Sequence, residues 1–304
     1  MSTCVAPRPC ARTCRMSDVP RKVAIIGCGL IGTSIALGLR EAGVTVWLLD
    51  TDAARLYEAL DVTGTHRWNG EDVDLIVVAV APQSTADVVT AWASARPECS
   101  ITDVASVKTS VCDAVAHALP HARFIGGHPI AGKQTSGPQA AQGDLFTGRP
   151  WVLIDGGTTT SKTREEVAWL PQTLGARVVW LSAEEHDLVL ATTSHVPQVV
   201  ASAVAASLLT LSPQQASVSG PGLASVTRLA ASDPDLWRQI LPANAEAVAA
   251  ALRAVAEELV VAANALQDGD DGPLDDLLRR GVAGRAMLGI DEATFAPGRD
   301  ENRT

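Results

Sequence analysis

Short apolar runs punctuate the first 181 residues, and long Ala-, Val- and Leu-rich stretches follow them. Residues 22–26 read as a buried strand, 27–32 as a glycine turn, 31–41 as a helix and 44–49 as the next strand, which together make a βαβ unit. Further strands are expected at 75–80, 100–104, 123–125, 151–154 and 177–181, separated by helical or loop segments. Connections of that length are crossovers, so the pattern predicts an α/β region with a mostly parallel sheet.

After residue 181 the strand pattern stops. Ser182 and Glu185 are spaced as a capping box and open a helix expected to run to about residue 210. Asp233 and Pro234 offer an N-cap and a first-turn proline for a second helix through about residue 267, with a kink expected at Pro242. Residues 267–273 read as an acidic, glycine-containing loop, 274–280 as a short helix, and everything after about 293 as a loose tail. Helices this rich in Ala carry more apolar face than one copy of the region can cover, which predicts a homodimer.

Charge narrows the choice of partner. A formal net charge of -10 over 304 residues argues against nucleic acid and anionic membranes, both of which call for a basic stripe. No uninterrupted apolar run reaches the roughly 20 residues of a membrane span. The first 15 residues are Arg-rich and lack the apolar middle of a signal peptide, so a cytoplasmic protein is expected, with a flexible extension at 1–20 and Met16 as an alternative start. Cys4, Cys10 and Cys14 lie in that extension at spacings that match neither a zinc knuckle nor a redox pair, so no metal is expected.

The candidate chemistry sits at strand ends. Gly27, Gly29 and Gly32 follow a strand and open a helix with Leu30 and Ile31 between them, and Asp50 ends the next strand. That is the full context of a dinucleotide fingerprint, in which the helix N-terminus draws in pyrophosphate and the acid accepts from ribose hydroxyls. Asp50 would also repel a 2'-phosphate, so NAD is favoured over NADP. A second cluster is Gly126-Gly127-His128-Pro129-Ile130-Ala131-Gly132, which puts a histidine in a loop just past a strand end, where open α/β sheets bind ligands. Ser106 and Lys108 occupy the equivalent place after the preceding strand, so three polar side chains are expected to converge there.

These residues carry a resemblance. Gly126 to Gly132, with 103–108 before it, Ser194-His195-Val196-Pro197-Gln198 after it and the later segment 226–237, is similar to the prephenate and arogenate dehydrogenase family over about residues 22–284. The resemblance implies a Rossmann-type domain at 21–181, an all-α substrate and dimerisation domain at 182–292 and a tail at 293–304. It also implies NAD-dependent oxidative decarboxylation of a cyclohexadienyl substrate, as in aromatic amino acid (tyrosine) biosynthesis. By the same resemblance His128 stands at the substrate C4 oxygen with Ser106 as its hydrogen-bonding neighbour, Arg228 clamps a carboxylate, His195 supports the pocket, and Lys133 and Gln134 contact substrate. Several family members have an acid where this chain has Gln134, and a charged pair where it has Gly222-Leu223-Ala224-Ser225. Those departures open two alternative substrates: arogenate, or 4-amino-4-deoxyprephenate in a specialised antibiotic pathway. Too few residues follow Gly284 for a regulatory ACT domain, and none is expected.

Two readings from other classes compete. A hydrolase built on Ser106 and His128 has no Gly-x-Ser-x-Gly elbow and leaves the dinucleotide fingerprint unexplained. A non-catalytic NAD sensor would keep the glycines and Asp50 but has no use for His128 together with Arg228.

Overall fold

The computed structural model describes residues 20–133, 135–156 and 159–288. The extension with its three cysteines and Met16, the site candidate Gln134 and the tail from residue 289 lie outside the described residues. Two compact units divide at Val248 and Ala249.

The first unit is built on a six-stranded parallel sheet in the order β3-β2-β1-β4-β5-β6. In chain order its elements are β1 (Lys22–Ile26), α1 (Leu30–Glu41), β2 (Thr45–Leu49), α2 (Ala53–Thr63), β3 (His66–Arg67), β4 (Leu75–Val78), α3 (Pro82–Ala95), β5 (Ser100–Asp103), α4 (Thr109–Ala118) and β6 (Phe124–Ile125). Alternation along β1 assigns its two faces. Val23 and Ile25 pack with Ile35 and Leu39 of α1, while Ala24 and Ile26 join Val89 of α3 and Val111 of α4. Both faces are therefore covered, which is why the central strands read as continuous apolar runs.

The remaining strands form a separate three-stranded sheet. β7 (Gly127–Pro129) pairs antiparallel with β8 (Pro150–Ile154), which pairs parallel with β9 (Arg177–Leu181) across α5 (Ser161–Thr173). The expected single sheet is thus two, and Gly126 is where the chain leaves one and enters the other. His128, expected in a loop, lies within β7 opposite Val152. Gly127 is required beside it, because a Cβ there would sit 2.7 Å from the Asp103 carbonyl oxygen.

Helices follow, as the capping box predicts: Ser182 accepts from Glu185 N, and the Glu185 side chain accepts from Ser182 N. α6 (Ala183–Leu190) and α7 (Val196–Ser207) are joined by a π-helical turn at Ala191–His195. The whole stretch Ala183–Thr210 is long and apolar enough by length and composition to cross a membrane. It is nonetheless studded with the buried polar groups His186, Asp187, His195 and Gln198. α8 (Pro213–Ala216), α9 (Pro221–Thr227) and α10 (Pro234–Ala243) follow. The kink expected at Pro242 is a break: α10 ends one residue later at Ala243, with Asn244 as its cap.

α11 (Ala245–Asp268) continues into the second unit, whose other helix, α12 (Asp271–Met287), is longer than the expected 274–280. Arg280 bridges the two by bonding Glu258 at 2.8 and 3.1 Å. Leu259, Val260, Val261, Leu278 and Val282 in this unit are exposed.

Candidate active site

A cavity of about 1750 Å³ opens at the carboxyl ends of the parallel strands. That exceeds the roughly 300–1,000 Å³ of an ordinary small-ligand pocket and suits a dinucleotide together with a second small molecule. One end is walled by residues 26–31, Asp50 and the start of α3; the other end has Ser106, His128, Pro129, Gly132 and Lys133.

At the first end, Gly27 turns at φ +103, and a Cβ on it would meet the Ala79 carbonyl oxygen at 2.2 Å. Gly29 caps α1 without any side-chain hydrogen bond, and a Cβ added there would meet nothing within 4 Å. Uncapped N–H groups at a helix start facing open space form an anion site. Asp50 accepts from Cys28 N at 2.7 Å and from Asp52 N at 2.8 Å, so its carboxylate both steadies the glycine turn and faces the cavity. These residues fit the pyrophosphate and ribose of a dinucleotide. Burial, then the Asp50 charge, push the neighbouring Cys28 thiol up to about 12, which keeps it protonated and inert. Asp50→Ala should raise the NAD dissociation constant about 10-fold or more and narrow its margin over NADP. Titration of both cofactors checks this; an unchanged preference would show that Asp50 does not contact the ribose.

At the other end, Ser106, His128 and Lys133 share the wall. Lys133 is exposed and donates to the Ala140 carbonyl at 2.9 Å. Lys108 does not join them, contrary to the expected convergence. It is fully buried and paired with Asp103, and it donates to the Gly127 carbonyl at 2.8 Å. Asp103 in turn accepts from Gly127 N at 3.1 Å and Ala105 N at 2.9 Å, so the pair fixes the residue just before His128.

The half-buried His128 presents Nδ1 to Nε2 of His186 at 2.8 Å, and the two rings meet edge to face. His186 Nδ1 lies 2.7 Å from Asp187 Oδ1. Burial above all, then the neighbouring His186, Lys108 and His195, hold the His128 pKa well below the ordinary imidazole range, against a weaker upward pull from Asp187. His195 lies on the π-helical turn, buried, with Nδ1 3.3 Å from Asn244 Nδ2 and its ring edge-on to Trp237. Arg228 begins a 3-10 turn at Arg228–Ala231 and is exposed. Neither Arg228 nor His195 forms part of the cavity wall.

The model titled prephenate dehydrogenase, nucleotide-binding domain, matches residues 35–180, and the one titled prephenate dehydrogenase, dimerization domain, matches residues 182–280. The chain belongs to the prephenate dehydrogenase family. Among its relatives, the protein named "Probable prephenate dehydrogenase NovF" of Streptomyces niveus is 38% identical over 87% of this chain and 76% of its own length. Cyclohexadienyl dehydrogenase of Zymomonas mobilis is 33% identical over 82% of this chain and 90% of its own. In fold, the chain is similar to prephenate dehydrogenase from A. aeolicus, solved in complex with hydroxyphenyl propionate and NAD+ (TM-score 0.80, 24% identity, 91% of this chain and 100% of that one). It is likewise similar to Synechocystis arogenate dehydrogenase (TM-score 0.75, 22% identity, 88% and 99%).

As a prephenate dehydrogenase family member, the chain is an NAD-dependent, decarboxylating dehydrogenase for a prephenate-type substrate. The hydrolase and sensor readings fall with that. Sequence reasoning missed His186, Asp187 and Asn244 altogether. The one signal available was the acidic and basic run Glu184-Glu185-His186-Asp187 at a helix start, which is indistinguishable from ordinary capping until the fold brings His128 against it.

Proposed function

We propose that this prephenate dehydrogenase family member acts on prephenate itself, with His128 as the proton acceptor at the C4 hydroxyl. The observation that supports this is the position of His128 on the cavity wall, where burial and the neighbouring His186, Lys108 and His195 lower its pKa and so favour the neutral ring that a proton acceptor needs. The glycine turn and Asp50 would hold NAD, which when bound would supply the acceptor for the C4 hydride. His128 removes the C4 hydroxyl proton as the carbonyl develops; the ring carboxylate leaves as carbon dioxide, its bonding pair aromatises the ring, and the proton returns to the phenolate oxygen. Ser106, on the same wall, is the hydrogen-bonding partner of the reacting oxygen, and Leu30 and Ile31 line the cavity beside the glycine turn. The functional division of the chain falls at residues 181 and 182.

Carboxylate binding is assigned to Lys133, a basic side chain on this wall, and to Arg228 by its motif position, with Gln134 as a further substrate contact. Each charge-assisted contact acts in ground and transition states alike, so Lys133→Ala or Arg228→Ala should raise the prephenate KM about 10-fold while turnover changes less. The deciding experiment compares prephenate, arogenate and 4-amino-4-deoxyprephenate by NADH absorbance. A higher kcat/KM for either alternative overturns the assignment of prephenate, and unchanged kinetics in both variants removes the carboxylate clamps.

A homodimer is part of this proposal, supported by the exposed apolar side chains of α11 and α12 and by the dimerization-domain match. So is a cytoplasmic location: the apolar stretch Ala183–Thr210 carries buried polar side chains with partners inside the protein, which does not suit a lipid-facing span.

A further inference from the structure

We propose that His186 and Asp187 are positioning residues for His128, a fixed chain of two hydrogen bonds that dictates which imidazole nitrogen meets the substrate. This rests on the reading of His128 as the base, and goes beyond it by assigning how the base is kept in the productive form.

Asp187 anchors the chain of hydrogen bonds. Its carboxylate accepts from the backbone N–H of Lys108 and of Thr109, both at 2.9 Å, at the start of α4. Burial raises its pKa, but the hydrogen bonds from His186, Thr109 and Lys108 outweigh that and hold it at about 2. An ionised carboxylate can only accept. The proton between Asp187 and His186 therefore sits on His186 Nδ1, at 2.7 Å. In the neutral ring this leaves a lone pair on His186 Nε2, which must be the acceptor for His128 Nδ1–H at 2.8 Å. His128 Nε2 is then unprotonated, and it is the nitrogen left free for the cavity. The opposite tautomer would present an N–H to the substrate hydroxyl and accept nothing.

The His186 and Asp187 end of the chain is anchored to the fold. His186 is fully buried, its helix start is fixed by the Ser182 and Glu185 capping box, and Asn244 donates to the Asp187 carbonyl at 2.7 Å. Neighbouring residues on a helix do not normally face each other, so the direct bond between His186 and Asp187 is a specific arrangement and not a by-product of helical spacing. Orientation of a catalytic imidazole through a buried carboxylate is an established way of fixing a tautomer.

Two amides of different reach test the proposal. The amide of Gln overlays Nε2 of a histidine ring, whereas that of Asn overlays Nδ1. His186→Gln keeps an oxygen acceptor within reach of His128 Nδ1–H; His186→Asn keeps a polar contact to Asp187 but falls short of His128. His186→Asn should lower kcat about 10- to 100-fold with the prephenate KM and the NAD dissociation constant nearly unchanged, and His186→Gln should restore most of that loss. In a His128→Asn background the cost of His186→Asn should vanish, since it acts only through His128. Equal activity of the two amide variants, a loss confined to KM, or a full extra loss in the His128→Asn background would each overturn the positioning role. Failure of the base reading itself would look different: His128→Asn alone would then leave turnover intact.

Discussion

His128→Asn should reduce turnover by roughly 100-fold or more while the Michaelis constant for substrate changes little, the usual scale for loss of a general base. The asparagine amide keeps a polar group of similar reach in β7 but cannot take up the C4 hydroxyl proton. Because the amide still occupies the wall beside Ser106, ground-state binding is preserved and the defect appears in kcat. The pH profile of the unmodified protein follows from the same site. The base must be neutral to work, and burial, with His186, Lys108 and His195 facing it, lowers its pKa while Asp187 raises it only in part. Activity should therefore hold as pH falls through the ordinary imidazole range and be lost only below it. Steady-state kinetics across pH on both proteins check the two statements together. Intact turnover with a raised Michaelis constant in the variant would make His128 a binding residue instead.

Lys108→Met should destabilise the fold by about 3–5 kcal/mol, because it leaves the Asp103 carboxylate fully buried without its cation. Total stabilities of about 5–15 kcal/mol make that a large fraction, and in a domain of this size it corresponds to roughly 6 to 20 °C in melting temperature. Asp103→Asn added to Lys108→Met should recover part of the loss. It removes the unpaired charge and leaves an amide oxygen for one of the two backbone donors, Ala105 N and Gly127 N. Thermal or denaturant unfolding of the single and double variants measures this. A Lys108→Met protein as stable as its parent, or a double variant worse than the single, would show that the pair is not what holds the β5 end to β7.

The dinucleotide half of the site was legible in the chain because all its parts are local. Gly27, Gly29 and Gly32 lie within one turn, and Asp50 follows at the end of the next strand of the same βαβ unit, so a sequence window of about 30 residues contains the whole device. Helix starts at Ser182 and Asp233 were legible for the same reason, since a cap bonds within three residues. His128 could be singled out by its glycine and proline neighbours, but not its placement in β7, which depends on pairing with β8 more than 20 residues on.

What only the tertiary structure decided are the long-range contacts. Lys108 reads in sequence as a site residue, yet it turns inward because Asp103 and the Gly127 carbonyl offer a buried cation its partners. His186 and Asp187 read as the polar start of a helix, and become part of the active site only because α6 packs where β7 and the start of α4 meet. Hydrophobic periodicity and capping are short-range signals. A hydrogen bond across 58 residues, from His128 to His186, leaves no periodic trace in the sequence, so it is fixed only when packing brings the two rings together.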